Sequence, residues 1–319
     1  MRIVVTRRIP EAALDTLREA GEVWMSDLDR PLEPDELRKA VGGSSAIVSM
    51  LHDRIDGRVA DAAGPSLRVV ANVAVGYDNI DVAALADRGV LVTNTPGVLT
   101  DATADLAFGL LLALTRRIAE GDRLLRARRP WSFHLGFMLG SGLQGKTLGI
   151  VGLGQIGQAM ARRARAFGME IVYSGRSRSA VENEMAARFL SLDELFATSD
   201  VVSLHCPLTP ETRHLINAAA LSAMKPSAVL VNTTRGLVVD EHALADALER
   251  GEIAGAALDV FEKEPEVEPR LLALDNVVLT PHLGSATVET RTAMALLAAR
   301  NVAAVLAGHD PLNPVGPRT

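Results

Sequence analysis

Short apolar runs alternate with amphipathic stretches along most of the chain. Residues 3–6, 46–49, 68–71 and 90–93 are compact, largely β-branched runs that read as strands. Residues 11–20, 34–41, 57–63 and 82–88 carry the helical spacing of apolar positions between them. The pattern resumes at residues 147–151, 170–173, 201–204, 228–232, 255–258 and 277–280, with helical stretches at 217–223, 241–250 and 288–307. Strands that alternate with helices predict parallel sheets covered by helices.

Two segments break the simple alternation. From Thr100 or Asp101, either of which can cap a helix, apolar residues run almost all round to Leu114. A helix of that kind is expected to be buried between domains or subunits. The second segment, KTLGIVGLGQIG at 146–157, places Gly152, Gly154 and Gly157 between a strand and the helical stretch QAMARRARAF. Glycines at these steps allow a tight turn, close approach of a pyrophosphate and close helix packing. The unpaired amides that open the helix then face the anion. The expected fold is α/β, with two doubly wound parallel-sheet (Rossmann-like) domains and a cleft between them. Residues 1–99 with 287–319 are expected to form a substrate domain, and 100–286 the dinucleotide domain.

Composition narrows the partners. A chain of 319 residues is comfortable for two domains, and a formal charge of −6 gives no pull toward nucleic acid or anionic membrane. The longest apolar stretch, residues 102–114, contains Asp105 and is too short to span a bilayer, and the N-terminus lacks the apolar core of a secretory signal. A cytoplasmic protein is expected. Cys206 is the single cysteine, which excludes an intrachain disulfide and a cysteine-based metal site within one chain; no metal is expected. The basic stretch 116–130 leads into Trp131, Phe133, His134 and Phe137, and most of its arginines read as a solvated helix face.

Where a Rossmann unit usually presents an acidic residue to the ribose, this chain has Ser174, Gly175, Arg176, Ser177 and Arg178. Two arginines and neighbouring hydroxyls suit a 2′-phosphate, so NADP(H) is the preferred cofactor and NAD(H) the second choice. Later strands end in NTTRG (232–236), DVFEKEP (259–265) and TPHLGS (280–285), which bring Arg235, Glu264 and His282 to the ligand side of such a sheet. An arginine can hold a carboxylate with two hydrogen bonds, and a histidine can protonate a carbonyl oxygen as hydride arrives. A glutamate beside the histidine favours its protonated form. Taken singly, each also reads as a surface ion-pair partner or a loop residue, and spacing alone does not bring them together.

The motifs VGLGQIG, HCPLTPETRHLIN (205–217), MKPSAVLVNTTRG (224–236), AALDVFEKEP (256–265) and PHLGSAT (281–287) resemble, in order, those of D-isomer-specific 2-hydroxyacid dehydrogenases. ANVAVGYDNID (71–81) and TNTPGVLTDATADLAFGLLL (93–112) are similar to the glyoxylate and hydroxypyruvate reductase branch. The resemblance implies that Arg235 binds the substrate carboxylate and carbonyl, that His282 is the acid/base and that Glu264 tunes it. It implies Leu51, Val75, Gly76 and Ser285 as further substrate residues, the second and third through backbone amides. Leu153, Gln155 and Ile156 would join the three glycines under the pyrophosphate, with Cys206 and Pro207 beside the adenosine. Thr103, Thr233 and Asp259 would lie near the phosphates or nicotinamide, and Thr212, Thr234 and Gly284 complete the cofactor set. The buried helix resembles the family's dimer arm, which implies a homodimer in which Trp131, Phe133 or Phe137 reaches the partner.

The function expected is reduction of small 2-ketoacids, glyoxylate to glycolate and hydroxypyruvate to D-glycerate, with NADPH. The rivals are a phosphite dehydrogenase or another D-2-hydroxyacid dehydrogenase of the same fold, and a non-catalytic corepressor that senses dinucleotides.

Overall fold

The structure, a computed structural model, describes residues 1–316. Contacts divide the chain into two compact units, Met1–Leu99 with the chain from Ser285 onward, and Thr100–Gly284.

The first unit opens β1 (Arg2–Val5), α1 (Glu11–Ala20), β2 (Glu22–Met25), α2 (Pro34–Ala40), β3 (Ala46–Ser49), α3 (Gly57–Ala63), β4 (Val69–Asn72), α4 (Val82–Ala86) and β5 (Leu91–Thr93). The parallel order is β5-β4-β3-β1-β2, reversing direction between β1 and β3. Ile3, Val5, Ala46 and Val48 point to one face while Val4, Ile47 and Val70 point to the other. Both faces are covered, so central strands are apolar at every position.

The second unit runs α5 (Thr100–Thr115), α6 (Ile118–Arg126), β6 (Thr147–Val151), α7 (Gln155–Ala166), β7 (Glu170–Ser174), β8 (Ala187–Phe189), α8 (Leu192–Thr198), β9 (Val201–Leu204), α9 (Ala218–Ala223), β10 (Val229–Asn232), α10 (Glu241–Arg250), β11 (Gly255–Leu258), α11 (Pro269–Ala273) and β12 (Val277–Leu279). Its seven strands lie in the order β12-β11-β10-β9-β6-β7-β8 and all pairs are parallel. The direction of winding reverses between β6 and β9, the position where open α/β sheets bind ligands. α5 packs Phe108 and Leu111 with Met160 and Ala164 of α7 on one face, and Leu195, Leu221 and Leu244 of α8, α9 and α10 fill the other.

The chain returns to the first unit through α12 (Val288–Leu306) and β13 (Pro314–Val315). Ala295, Ala298, Ala299 and Val302 of α12 join Ala13 and Leu17 of α1 over the sheet face formed by Ile3, Val5, Val48 and Val69. β13 adds an antiparallel strand beside β5.

The arginines in and just before α6 form ion pairs at the surface: Arg117 with Glu120 (2.7 Å), Arg126 with Asp122 (2.7 Å) and Arg123 with Asp275 (3.3 Å). No helix among the described residues is long and apolar enough to cross a membrane.

Candidate active site

β6 ends in a turn that only glycine can make. Gly152 has φ +97°, and a Cβ there would stand 2.8 Å from the carbonyl oxygen of His205. The ends of β6 and β9 therefore touch backbone to backbone at the reversal of the sheet. A Cβ on Gly157 would meet the Gly152 carbonyl at 2.3 Å, so α7 packs onto the turn with no space for a side chain. At Gly154, the residue that precedes α7, a Cβ would meet nothing within 4 Å. α3, α8, α9 and α10 each begin with a side chain that accepts from first-turn amides, whereas α7 has none. A bare glycine before an uncapped helix start fits a pyrophosphate, which would take those amides and the positive end of the helix.

β7 ends at Ser174, whose carbonyl accepts from Gly152 N–H at 2.9 Å, and Gly175 to Arg178 are exposed. The two arginines differ. Arg178 pairs with Glu182 at 3.1 Å and lies 5.4 Å above the Phe189 ring. Glu182 also accepts from the buried Tyr173 hydroxyl at 2.6 Å, and that hydroxyl accepts from Ser179 N–H at 2.8 Å. Arg178 is thus part of the loop's own scaffold. Arg176 is exposed on the turn, with the carboxylate of Glu211 in its field.

After β9, Cys206 is buried, which pushes its thiol up to about 11 and keeps it neutral. Pro207 is exposed, and its carbonyl accepts from the Thr212 hydroxyl at 2.7 Å. After β10, Thr234 bonds to Asn232 through both its amide (3.0 Å) and its hydroxyl (2.8 Å). The Thr233 hydroxyl is buried with no hydrogen-bond partner among the described residues. An orphaned buried hydroxyl in this position suits the polar end of a bound cofactor.

Arg235 follows, its carbonyl held by Asn232 Nδ2 at 2.9 Å. A Cβ on the next residue, Gly236, would fall 1.8 Å from the Phe261 carbonyl carbon, so the Arg235 turn lies directly on the loop after β11. Phe261 N–H donates to Glu264 Oε1 at 3.1 Å, and Glu264 Oε2 meets His282 Nδ1 at 2.8 Å. Both side chains are about one-fifth exposed. Three adjacent strand ends, β10, β11 and β12, thus supply Arg235, Glu264 and His282.

His282 has φ +54°, a conformation rare outside glycine. Asp259 holds it there. The His282 amide donates to the Asp259 carbonyl at 2.8 Å, while the Asp259 carboxylate accepts from Thr280 Oγ1 (2.6 Å), Leu283 N–H (2.7 Å) and Gly284 N–H (2.8 Å). Burial raises the Asp259 pKa, against those three donors and the field of His282. With both oxygens engaged inside the protein, Asp259 braces the histidine loop. Thr103 is buried close to Gly284, 3.5 Å from where a Cβ would stand.

Further bracing residues lie outside the sequence motifs' usual reading. Glu262 N–H donates to Glu241 Oε1 (2.5 Å), Glu241 N–H donates to Glu262 Oε1 (3.1 Å), and His214 Nε2 lies 3.1 Å from the same Glu262 oxygen. Glu241 stands right after the Asp240 cap, where a carboxylate ordinarily reads as a first-turn helix charge.

In the first unit, Leu51 follows β3, Val75 and Gly76 lie on the loop after β4, and Ser285 precedes α12. Leu51, Val75, Gly76 and Ser285 are all partly exposed.

A doubly wound sheet with a glycine turn at its reversal point and an arginine, glutamate and histidine at neighbouring strand ends defines a dinucleotide-dependent oxidoreductase architecture. Residues 108–284 match the family model for the NAD binding domain of D-isomer specific 2-hydroxyacid dehydrogenases. The chain is 51% identical over 315 residues to a glyoxylate reductase of Thermococcus kodakarensis, covering 97% of this chain and 94% of that one. A crystal structure of a Thermus thermophilus protein superposes with a TM-score of 0.92 at 48% identity, covering 99% and 100% of the two chains. The NADPH-dependent glyoxylate/hydroxypyruvate reductase of Sinorhizobium meliloti, solved with NADP and malonate, gives a TM-score of 0.86 at 38% identity, covering 100% and 99%. The chain belongs to the D-isomer-specific 2-hydroxyacid dehydrogenase family. Within it the chain falls in the glyoxylate reductase branch and is an enzyme whose second unit takes a nicotinamide dinucleotide.

Proposed function

We propose that the protein reduces small 2-ketoacids, glyoxylate to glycolate and hydroxypyruvate to D-glycerate, with NADPH preferred over NADH. The observation that carries this reading is the 2.8 Å contact between Glu264 and His282, beside the Arg235 turn. A bound nicotinamide supplies the hydride. Arg235 is assigned to the substrate carboxylate and carbonyl; in the first unit the amides of Val75 and Gly76 are the candidates for the carboxylate, with Leu51 and Ser285 as further substrate residues. Glu264 on Nδ1 leaves Nε2 of His282 as the nitrogen that protonates the carbonyl oxygen.

The preference for NADPH rests on the turn after β7, which offers Ser174, Gly175, Arg176 and Ser177 and no carboxylate. Because Arg178 is committed to Glu182, Arg176 is assigned the 2′-phosphate. Initial rates with NADPH and NADH against glyoxylate, hydroxypyruvate and pyruvate test the whole reading. Arg176→Ala is expected to raise KM for NADPH by roughly tenfold, as loss of a charge-assisted hydrogen bond would, and to leave KM for NADH within about twofold. Equal changes for the two cofactors would remove the selector, and no turnover with any 2-ketoacid would remove the reductase.

We further propose a homodimer. Trp131, Phe133 and Leu135 are 56%, 80% and 90% exposed, with Ile118, Leu125 and Leu139 exposed nearby. So dense a run of solvent-facing apolar side chains marks an interaction surface. Phe137 is stacked on Trp131 at 6.0 Å, which leaves Phe133 the most exposed of the three aromatic candidates for the partner's pocket. Sedimentation equilibrium should give twice the chain mass; a monomer at micromolar concentration would overturn the assignment.

A further inference from the structure

The loop after β4 is gripped by its carbonyls. Ala74 C=O accepts from Thr95 N–H, Val75 C=O from Asn94 Nδ2 and Gly76 C=O from Asn72 Nδ2, each at 2.9 Å. The peptides here are trans, since the only cis bond among the described residues is Glu264–Pro265. In a planar trans peptide the N–H points opposite to its C=O. Holding the carbonyls of Ala74 and Val75 therefore turns the amides of Val75 and Gly76 away from their anchors. Among the described residues neither amide donates to a protein acceptor. Successive outward amides of this kind form an anion-binding concavity.

The anchors are themselves fixed. Asn72 is fully buried, and its Oδ1 accepts from Ser49 Oγ at 3.2 Å. Its Nδ2 also reaches Asn79 Oδ1 at 3.3 Å. Asn79 Nδ2 donates to the carbonyls of Met50 (3.1 Å) and Asp53 (2.9 Å), on either side of Leu51. One polar network thus sets both loops of this unit that carry substrate candidates.

We propose that Asn94 is a positioning residue that, by holding the Val75 carbonyl, aims the amide of Gly76 at the carboxylate of the substrate, while Asn72 anchors the following peptide through the Gly76 carbonyl. The identity of that carboxylate as a 2-ketoacid rests on the reductase reading. An aspartate in place of either asparagine keeps the shape but replaces the donor by an acceptor, which repels the carbonyl and frees the peptide to rotate.

The test compares wild type, Asn94→Asp, Asn94→Ala and Asn72→Asp, with two readouts. One is steady-state kinetics with glyoxylate and NADPH. The other is calorimetric titration of the NADPH-loaded protein with oxamate, an unreactive 2-ketoacid isostere. KM for glyoxylate and Kd for oxamate are expected to rise together by about tenfold in Asn94→Asp and less in Asn94→Ala and Asn72→Asp, with KM for NADPH within about twofold. Asn94 is only partly buried, so its variants carry the test even if Asn72→Asp does not fold. An oxamate Kd unmoved in Asn94→Asp, or an equal rise in KM for NADPH, would overturn the assignment. Wild type that binds oxamate but reduces no 2-ketoacid would remove the reductase reading alone, the variants' oxamate affinities still deciding the role of the asparagines. Wild type that binds no oxamate would remove the cradle.

Discussion

Replacing His282 by glutamine is expected to lower kcat for glyoxylate reduction by about 10²–10⁴-fold, the range that a positioned general acid contributes. KM for NADPH should stay near its wild-type value, because the glycine turn and the Arg176 turn are separate from this side chain. The histidine sits at φ +54° on a loop braced by Asp259, and its ring is engaged at Nδ1 by Glu264 at 2.8 Å. Such bracing spends conformational energy on orientation, which is useful when one nitrogen must meet a carbonyl oxygen. Glu264→Gln keeps the shape of the side chain but removes the carboxylate that engages Nδ1, and is expected to lower kcat by less than the His282 change does. A glutamine variant at 282 that retains more than about a tenth of wild-type kcat would remove His282 from the proton-transfer role.

The second large effect belongs to Arg235. Arg235→Lys keeps the positive charge and loses the planar fork, so it is not a conservative change if Arg235 has its proposed role on the substrate carboxylate and carbonyl. A hydrogen bond to a charged group contributes about 1.5–3 kcal/mol, which corresponds to a fall in kcat/KM for glyoxylate of roughly ten- to a hundredfold. Arg235→Gln, which loses the charge as well, should fall further. The defect should appear mainly in kcat/KM, and a lysine variant within about threefold of wild type would show that a point charge suffices.

The sequence is most legible where strands are buried on both faces. β3, β6, β9 and β11 begin and end where their apolar runs do, because each is enclosed by helices on either side. The elements missed are those with weaker constraints. β2 alternates exposed and half-buried positions at a sheet edge, β8 is three residues with Arg188 turned outward, and β13 exists only by pairing with β5, more than 200 residues away. The helix α8 had a readable start, since Ser191 and Glu194 form a reciprocal capping box, but its seven residues are too few for a clear period.

At the candidate site, the motifs point to Arg235, Glu264 and His282, but the contact between the last two depends on β11 and β12 being neighbours, a property of strand order. Arg176 and Arg178 look equivalent in sequence. They separate in the structure because Tyr173, five residues before Arg178, fixes Glu182 as the partner of only one. Asp259 reads in sequence as a cofactor-side residue and in the structure as the brace of the histidine loop, since its backbone donors come from residues 283 and 284.

The return of the chain through α12 also orders events at the ribosome. The sheet face of Ile3, Val5, Ala46, Val48, Val69 and Ala71 receives Ala295, Ala298, Ala299 and Val302 only after the intervening Thr100–Gly284 segment has been translated. At roughly 5–20 residues per second, that face waits on the order of ten seconds or more for its cover. The contiguous segment, by contrast, has all its strands in hand as soon as Leu279 emerges. The nascent chain is therefore most exposed to chaperones and to aggregation along the small-residue and valine face of its first-made sheet, and that vulnerability ends with the last helix.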